Sequence, residues 1–147
     1  MNLFGVLEIS GAGMSAERFR AEVVTSNMAN AETTRTAEGG PYRRRLVRFR
    51  SERIALFPLQ LASFHSSLRA PSGSVRVDAI ITDPAAPLRR YQPGHPDADT
   101  QGYVAYPAIN PVEEMTDLLS AARAYEMNAS AVQASKQMIT QSIDILR

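Results

Sequence analysis

Two stretches of the chain combine helical spacing of apolar residues with an absence of glycine and proline. The longer stretch, Val112 to Arg147, follows a helix-start pattern in which Asn110 caps the first amides, Pro111 occupies the first helical position and Glu113 supplies a capping carboxylate. Its apolar positions recur in steps of three and four, which predicts a helix over 112–147 with one long stripe. The stripe consists of Met115, Leu118, Ala122, Tyr125, Ala129, Val132, Lys136, Ile139, Ile143 and Leu146.

The N-terminal segment repeats this plan, with Met14–Glu38 as the stretch free of glycine and proline, and it predicts a second helix over 1–38. Each helix also carries a second line of positions about 100° from its stripe, and on the C-terminal helix this line is made mostly of small residues. Two interpretations remain open: an ordinary helical pair covering one core, or a bundle in which several chains supply helices packed on two sides. The N-terminal stripe is Ile9, Ala12, Ala16, Phe19, Val23, Ser26 and Asn30. The small-residue line of the C-terminal helix is Ala121, Ala124, Asn128, Ala131, Ser135, Met138, Ser142 and Ile145.

The middle of the chain, residues 39–111, contains all nine prolines. Alternation of apolar and polar residues predicts a strand over Gly73–Asp83, with Val75, Val77, Ala79 and Ile81 on one face. Tyr42–Arg50 predicts an edge strand, Arg53–Ser67 is ambiguous, and Tyr91–Ile109 predicts a loop. The predicted fold is therefore α+β, with long N- and C-terminal helices packing as a coiled-coil-like pair and a small β-rich middle segment. The predicted segments are 1–38, 39–111 and 112–147.

Polar side chains continue the N-terminal stripe at its end, at Ser26 and Asn30. In one interpretation the helix frays there and Asn30 helps to end it. In the other, these groups and Asn27 bond to neighbouring subunits and fix their register, as buried polar residues of coiled coils do. The candidate subunit-interface residues are Ile9, Ala16, Phe19, Val23, Ser26, Asn27 and Asn30 on the N-terminal helix. On the C-terminal helix they are Met115, Leu118, Ala122, Tyr125, Val132, Ile139, Ile143 and Leu146.

Composition excludes several classes of function. The 147 residues include no cysteine, so disulfides, thiolate zinc sites and cysteine nucleophiles are absent. The net charge of +1 favours no class of partner, although the middle is basic and both predicted helices are acidic. No apolar run is long enough to span a membrane. The N-terminus lacks the basic region of a secretory signal peptide, so we expect a cytosolic chain or one exported without a cleaved signal.

Two clusters are candidates for chemistry, and each has a simpler interpretation. Six arginines lie within Arg43–Arg53, a candidate nucleic-acid surface, although in a strand they divide between both faces and a solvated edge strand is the commoner outcome. His95, Asp97 and Asp99 are candidate metal ligands, although loop residues of these types commonly form turns. No phosphate-binding loop, dinucleotide fingerprint or catalytic triad is present. The sequence therefore predicts neither an enzyme nor a cofactor.

Several segments resemble the axial proteins of the bacterial flagellum, which form its rod and hook. The segments Ser15–Arg18 and Ser26–Thr34 resemble the N-terminal signature of that family. The segments Glu38–Arg44, Pro93–Asp99 and Gly102–Pro107 are similar to those of its proximal rod proteins. So are Val112–Met115 and Ala121–Glu126.

This resemblance implies a structural protein of the proximal rod of the flagellar basal body. It implies a helical assembly in which the N- and C-terminal helices form an inner tube that transmits motor torque towards the hook. Export through the flagellar type III apparatus without a cleaved signal, and a place in the periplasmic rod, are also implied. The implied partners are further copies of the chain, the rod proteins FlgB, FlgF and FlgG, and the basal-body protein FliE. Neither nucleic-acid binding nor direct membrane insertion is implied.

Overall fold

Along the chain, a long helix comes first, the strands of two small antiparallel sheets follow, and a second long helix comes last. The computed structural model describes residues 3–53 and 73–145. Together these elements confirm the α+β prediction. In chain order the elements are α1 (Leu3–Ala29), β1 (Arg45–Arg53), β2 (Gly73–Thr82), β3 (Leu88–Tyr91), β4 (Tyr103–Tyr106) and α2 (Pro111–Ile145).

The start of α2 is the one that its sequence predicts. The Oδ1 atom of Asn110 accepts a hydrogen bond from the backbone N–H of Val112 at 3.1 Å, and its amide donates to Glu113 at 3.2 Å. The first of these bonds satisfies a backbone N–H group that has no partner within the helix. From Pro111 the helix runs for 35 residues, roughly 52 Å.

The end of α1 differs from the prediction, because the helix stops at Ala29 and does not reach residue 38. The amide of Asn30 donates to the backbone carbonyl of Ser26 at 2.9 Å, and its Oδ1 atom accepts from the hydroxyl of Thr33 at 3.2 Å. Such local bonds offer the backbone an alternative to the helix. These bonds fit the interpretation in which Asn30 helps to end the helix, and they leave the subunit contact untested.

The two helices pack antiparallel, with contacts that recur at every seventh residue. Gly13 lies against Asn128, Arg20 reaches Ser120 at 3.5 Å, and Asn27 bonds to Glu114 at 3.0 Å. A Cβ atom at Gly13 would lie 3.0 Å from the Asn128 side chain, so glycine permits the close approach. The α2 residues buried to 1% exposure, Glu114, Ala121 and Ser135, share this spacing. The small-residue line of α2 thus forms the contact with α1. The predicted apolar stripe of α2 lies to one side of this contact.

A β-bulge changes the predicted faces of β2. The strands β1 and β2 pair antiparallel, but the register shifts between Arg48 and Phe49, so that Asp78 has no residue opposite it. Val77 lies opposite Phe49 and Ile80 lies opposite Val47, and these two β1 positions share a face. Ile80 therefore lies on the face of Val77. Ala79 and Ile81 lie on the other face, which corrects the simple alternation.

Strand β4 of the β3–β4 hairpin lies where the sequence predicts a loop, and β3 ends at Tyr91, where that predicted loop begins. Its strands are four residues each and pair antiparallel. Ring contacts hold it together: Tyr91 meets Tyr103 edge-on at 5.4 Å, and the guanidinium of Arg90 lies 4.7 Å from the ring centre of Tyr106. Two strands this short show too little alternation to be recognised among the surrounding prolines.

The helices differ in how much of their surface the chain covers. Helix α1 packs against α2 and against both strands of the β1–β2 sheet. Among the elements in residues 3–53 and 73–145, α2 packs against α1 and against no strand. Among the described elements, α1 is therefore covered by both a helix and a sheet, whereas α2 is covered by one helix.

Candidate functional site

A buried polar junction joins α1, β1 and α2, and consists of Asn27, Tyr42, Arg44, Arg45 and Glu114. The Asn27 amide donates to the Arg45 carbonyl at 2.9 Å, and its Oδ1 atom accepts from the Arg45 N–H at 3.0 Å. The side-chain amide thereby makes the same pair of hydrogen bonds to Arg45 that a residue of a neighbouring strand would make. It also donates to Glu114 at 3.0 Å and accepts from the Tyr42 hydroxyl at 3.2 Å. All the bonding capacity of the amide is used inside the chain.

Glu114 supplies the charge of this polar junction. Its side chain is 1% exposed, and its Oε1 atom accepts from the Nε of Arg44 at 2.5 Å while Oε2 faces Asn27. Arg44 also lies 3.5 Å from Asp117, one turn further along α2. A buried carboxylate is tolerated only when it is paired and hydrogen-bonded, and both oxygens are satisfied here. The sequence gives no sign of this role, because Glu114 reads as an ordinary acidic residue in a first helical turn.

Three of the seven N-terminal interface candidates are buried inside the chain. Asn27 is 1% exposed and Ala16 is 3% exposed, and Val23 is also buried. The expected subunit contact through Asn27 is therefore corrected, because its bonds are all made within the chain. The remaining candidates are half-buried: Ile9, Phe19, Ser26 and Asn30.

The C-terminal candidates lie largely on the uncovered side of α2. Met115 is 56% exposed, Tyr125 is 42% exposed and Ile143 is 61% exposed. Ala122 is exposed as well, and Leu146 lies outside the described residues. Half-buried positions complete the set: Leu118, Val132 and Ile139. A helix flanked by water alone carries polar residues on its outer side, and the exposed apolar residues of this stripe depart from that pattern.

One carboxylate of the chain, that of Asp78, pairs with two of the arginines of β1. Arg48 and Arg50 both contact Asp78, at 2.7 and 3.1 Å, and the guanidinium of Arg45 lies over the ring of Tyr42. Arg44 belongs to the polar junction. The side chain of Arg53 lies outside the described part of the molecule. The structure thus favours the solvated-strand interpretation over a phosphate-binding surface.

The three metal-ligand candidates are engaged in loop structure. The Nδ1 atom of His95 accepts from the N–H of Asp97, whose carboxylate accepts from Thr34 at 2.8 Å. Backbone hydrogen bonds, above all from Tyr103, hold the pKa of the Asp99 carboxyl below its usual value. Across residues 3–53 and 73–145, no three such side chains come together to hold a metal ion.

Neither helix, over the part of the chain that the structure describes, is long and apolar enough to cross a membrane.

Comparison with known proteins finds relatives that match nearly the whole chain. A family model described as "Flagellar basal body rod FlgEFG protein C-terminal" matches residues 100–145. The chain is 36% identical to the flagellar basal-body rod protein FlgC of Borreliella burgdorferi, a match that covers 100% of the chain and 99% of that protein. It is 36% identical to FlgC of Bacillus subtilis, covering 99% of each, and 31% identical to FlgC of Salmonella typhimurium, covering 99% of the chain and 98% of the relative.

Proposed function

Because this chain belongs to the family of flagellar basal-body rod proteins called FlgC, and is a structural component of that rod, we propose that it transmits motor torque towards the hook through contacts between many subunits. Such a role needs extended surfaces and no catalytic group or cofactor. The observation that carries the proposal is the apolar stripe on the uncovered side of α2. Three of its large side chains are 42–61% exposed.

We propose that this stripe is a subunit interface in the assembled rod. Met115, Ala122, Tyr125 and Ile143 would be covered by helices of neighbouring subunits, together with the exposed edges of half-buried residues. From α1 the proposed contributors are Ile9 and Phe19, and Ser26 and Asn30 at its end. The family supports further copies of this chain, FlgB, FlgF, FlgG and FliE as the neighbours.

Localisation in the periplasmic part of the rod, after export without a cleaved signal peptide, completes the proposal. One feature supports it, since the chain has no cysteine that an oxidising compartment could cross-link.

Substitution of Tyr125 and Ile143 by glutamate tests the proposed interface. Both side chains are exposed in the single subunit, so we expect each variant to unfold at the same urea concentration as the native protein. In the assembly each carboxylate would be buried without a partner, which costs several kcal/mol. We therefore expect loss of swimming and of completed rods in a strain that carries only the variant.

Gln137→Glu is the matched control, because Gln137 is an exposed polar residue of the same helix. It introduces the same charge and should leave rods and swimming intact. Normal swimming of both interface variants would show that the stripe is not covered in the rod. If all three variants abolish swimming, added charge on α2 disturbs export or folding, and the stripe has no special role.

A further inference from the structure

The side of α2 that faces away from α1 carries a regular line of positions. It runs in alternate steps of three and four residues from Leu119 to Ile143, which is the spacing of a helix that packs along a second helix. The positions that face α1, such as Ala121 and Ser135, recur with the same seven-residue period. The two lines therefore stay about 100–160° apart around the helix along its whole length. We call this line, from Leu119 to Ile143, the outer seam.

The outer seam is open to solvent in the single subunit. Leu119 and Ile143, at its two ends, are 55% and 61% exposed. Among the described elements, only α1 packs on α2. Strand β1 approaches α2 from the other flank, because Asp117, which contacts Arg44, lies about 60° from Glu114 in the direction away from the seam. A second helix can therefore pack on the seam without displacing any described element.

Two side chains of opposite charge interrupt the outer seam. Glu126 and Lys136 are both exposed, and within residues 3–53 and 73–145 neither has an ion-pair partner. Position 131 lies midway between them, and it also lies midway between Leu119 and Ile143. A second α2 that runs in the opposite direction about position 131 therefore sets each charge against its opposite and each apolar end against the other end. The outer seam is thus complementary to itself.

We propose that the outer seam binds the outer seam of a second copy of this chain, with the two α2 helices antiparallel. Glu126 then faces Lys136 of the second copy, and Leu119 faces Ile143 of the second copy. The overlap from residue 119 to residue 143 is roughly 36 Å long. Because both copies use the same surface, the contact is isologous and closes at two chains.

The charges select this direction and this register. In a parallel pair each residue would meet its own counterpart, so Glu126 would face a glutamate and Lys136 would face a lysine. An antiparallel pair shifted by one seven-residue repeat would set Lys136 against Leu119, or Glu126 against Ile143. A charge covered by an apolar residue loses its partner, which is unfavourable. Polar residues within a helical seam fix register in this way, and opposite charges suppress wrong pairings.

The flanks of the outer seam fit the same arrangement. On one flank, Tyr125 would lie beside Ile139 of the second copy and Val132 beside its own counterpart, so that apolar surface is covered. On the other flank, Arg123 stands one turn before Glu126 of its own chain. The Glu126 carboxylate would thus lie between two cations, Arg123 and the lysine of the second copy, and it can accept hydrogen bonds from both.

This inference rests on the proposed function in one respect, because the pair would cover Tyr125 and Ile143 of the proposed rod interface. A contact that closes at two chains cannot extend along a rod. The pair would instead cover the apolar stripe of the free chain, and it would open when the subunit joins the rod.

Crosslinking through introduced cysteines tests the direction of the two helices, since the chain has no cysteine of its own. Purified full-length Leu119→Cys and Ile143→Cys chains, mixed in equal amounts, should give a covalent dimer with a short bismaleimide. Leu119→Cys alone should not, because its two equal positions would lie roughly 36 Å apart. Crosslinking of Leu119→Cys to itself as efficiently as in the mixture, or no dimer in the mixture, would overturn the proposal.

Charge exchange tests the ion pairs, with the dissociation constant of the dimer measured by sedimentation equilibrium. Glu126→Lys should raise it about tenfold or more, and Lys136→Glu should raise it less, because Arg123 remains beside the facing carboxylates. The double variant, or an equimolar mixture of the two single variants, should regain most of the affinity, because the exchanged charges again attract. Gln141→Lys, at an exposed position on the opposite flank of α2, is the control and should leave the dissociation constant unchanged. Circular dichroism checks the fold of each chain.

Three sedimentation results would each overturn the proposal: a native chain that stays monomeric, single charge variants with the native dissociation constant, and an exchange that restores nothing. Any of these together with loss of swimming by Tyr125→Glu would remove the antiparallel pair and leave the rod interface standing. Restored affinity in the exchanged pair, with Tyr125→Glu swimming normally, would support the pair and refute the rod interface.

Discussion

Asn27→Ala is expected to be among the most destabilising changes to a small side chain in this protein. The substitution removes four hydrogen bonds at once, to both backbone groups of Arg45, to Glu114 and to Tyr42. The Oε2 atom of Glu114 then stays buried without the donor that faces it. An unsatisfied buried group costs about 1–3 kcal/mol, and a buried charge that loses a partner costs more.

We therefore expect Asn27→Ala to lower the free energy of unfolding by about 3–5 kcal/mol. The whole free energy of unfolding of a domain is about 5–15 kcal/mol, so this is a large part of it. The melting temperature should fall by roughly 10–15 °C for a chain of this length. Urea unfolding followed by circular dichroism measures the change as a lower midpoint at an unchanged slope.

Asn128→Ala is the matched control, because it is the same substitution in the same helix interface. The Asn128 amide donates only one bond in the structure, to the carbonyl of Ala124 in its own helix. We expect it to cost about 1 kcal/mol or less. Equal urea midpoints for the two variants would refute the reasoning. The double variant of Asn27 and Glu114 should also be less unstable than the sum of its single changes, since both remove one network.

Three further results are expected. Asn110→Ala should cost about 1 kcal/mol by removing the α2 cap, while Asn110→Asp should cost little; equal losses in urea unfolding would contradict this. Gly102 has a φ of 80°, and an added Cβ would lie 2.9 Å from an aromatic ring, so Gly102→Ala should destabilise the hairpin in hydrogen exchange. Gly94→Ala, in open space, should not, and equal exchange rates in the two variants would count against it. Because the pKa of Asp99 is lowered by folding, its contribution is present above its unfolded pKa of about 3.9 and is lost as the pH falls towards the lower folded value. Asp99→Asn should flatten the decline in stability below about pH 4, and an unchanged decline would contradict it.

The sequence correctly predicts those elements that depend on interactions between residues close together in the chain. The start of α2 at Asn110 and Pro111 depends on groups within one turn, and it forms as predicted. The strand β2 is also found where alternation places it, at Gly73–Thr82. The end of α1 was missed because stripe spacing alone does not show whether the Asn30 side chain will bond the backbone.

Tertiary contacts decide the remaining features of the fold, and the spacing of residues in the sequence does not show which of these contacts form. Both lines of α2 have helical spacing, yet the small residues face α1, since they allow the backbones to approach closely at Gly13. The predicted stripe is consequently the exposed one, with Tyr125 and Ile143 in water. No spacing rule identifies Glu114 as a buried residue either, because its role depends on Arg44 and Asn27, which are distant in the chain.

The pairing of the first helix with the last one has a consequence for the order of folding. Asn27 and Glu114 are separated by 87 positions, so α1 reaches its main partner only after nearly the whole chain is available. A lone helix of 27 residues with three glycines gains little from its own backbone bonds. Contacts so distant in sequence also form slowly, because a long loop must close first. A chain that emerges N-terminus first would therefore stay incompletely folded until its C-terminal segment has emerged.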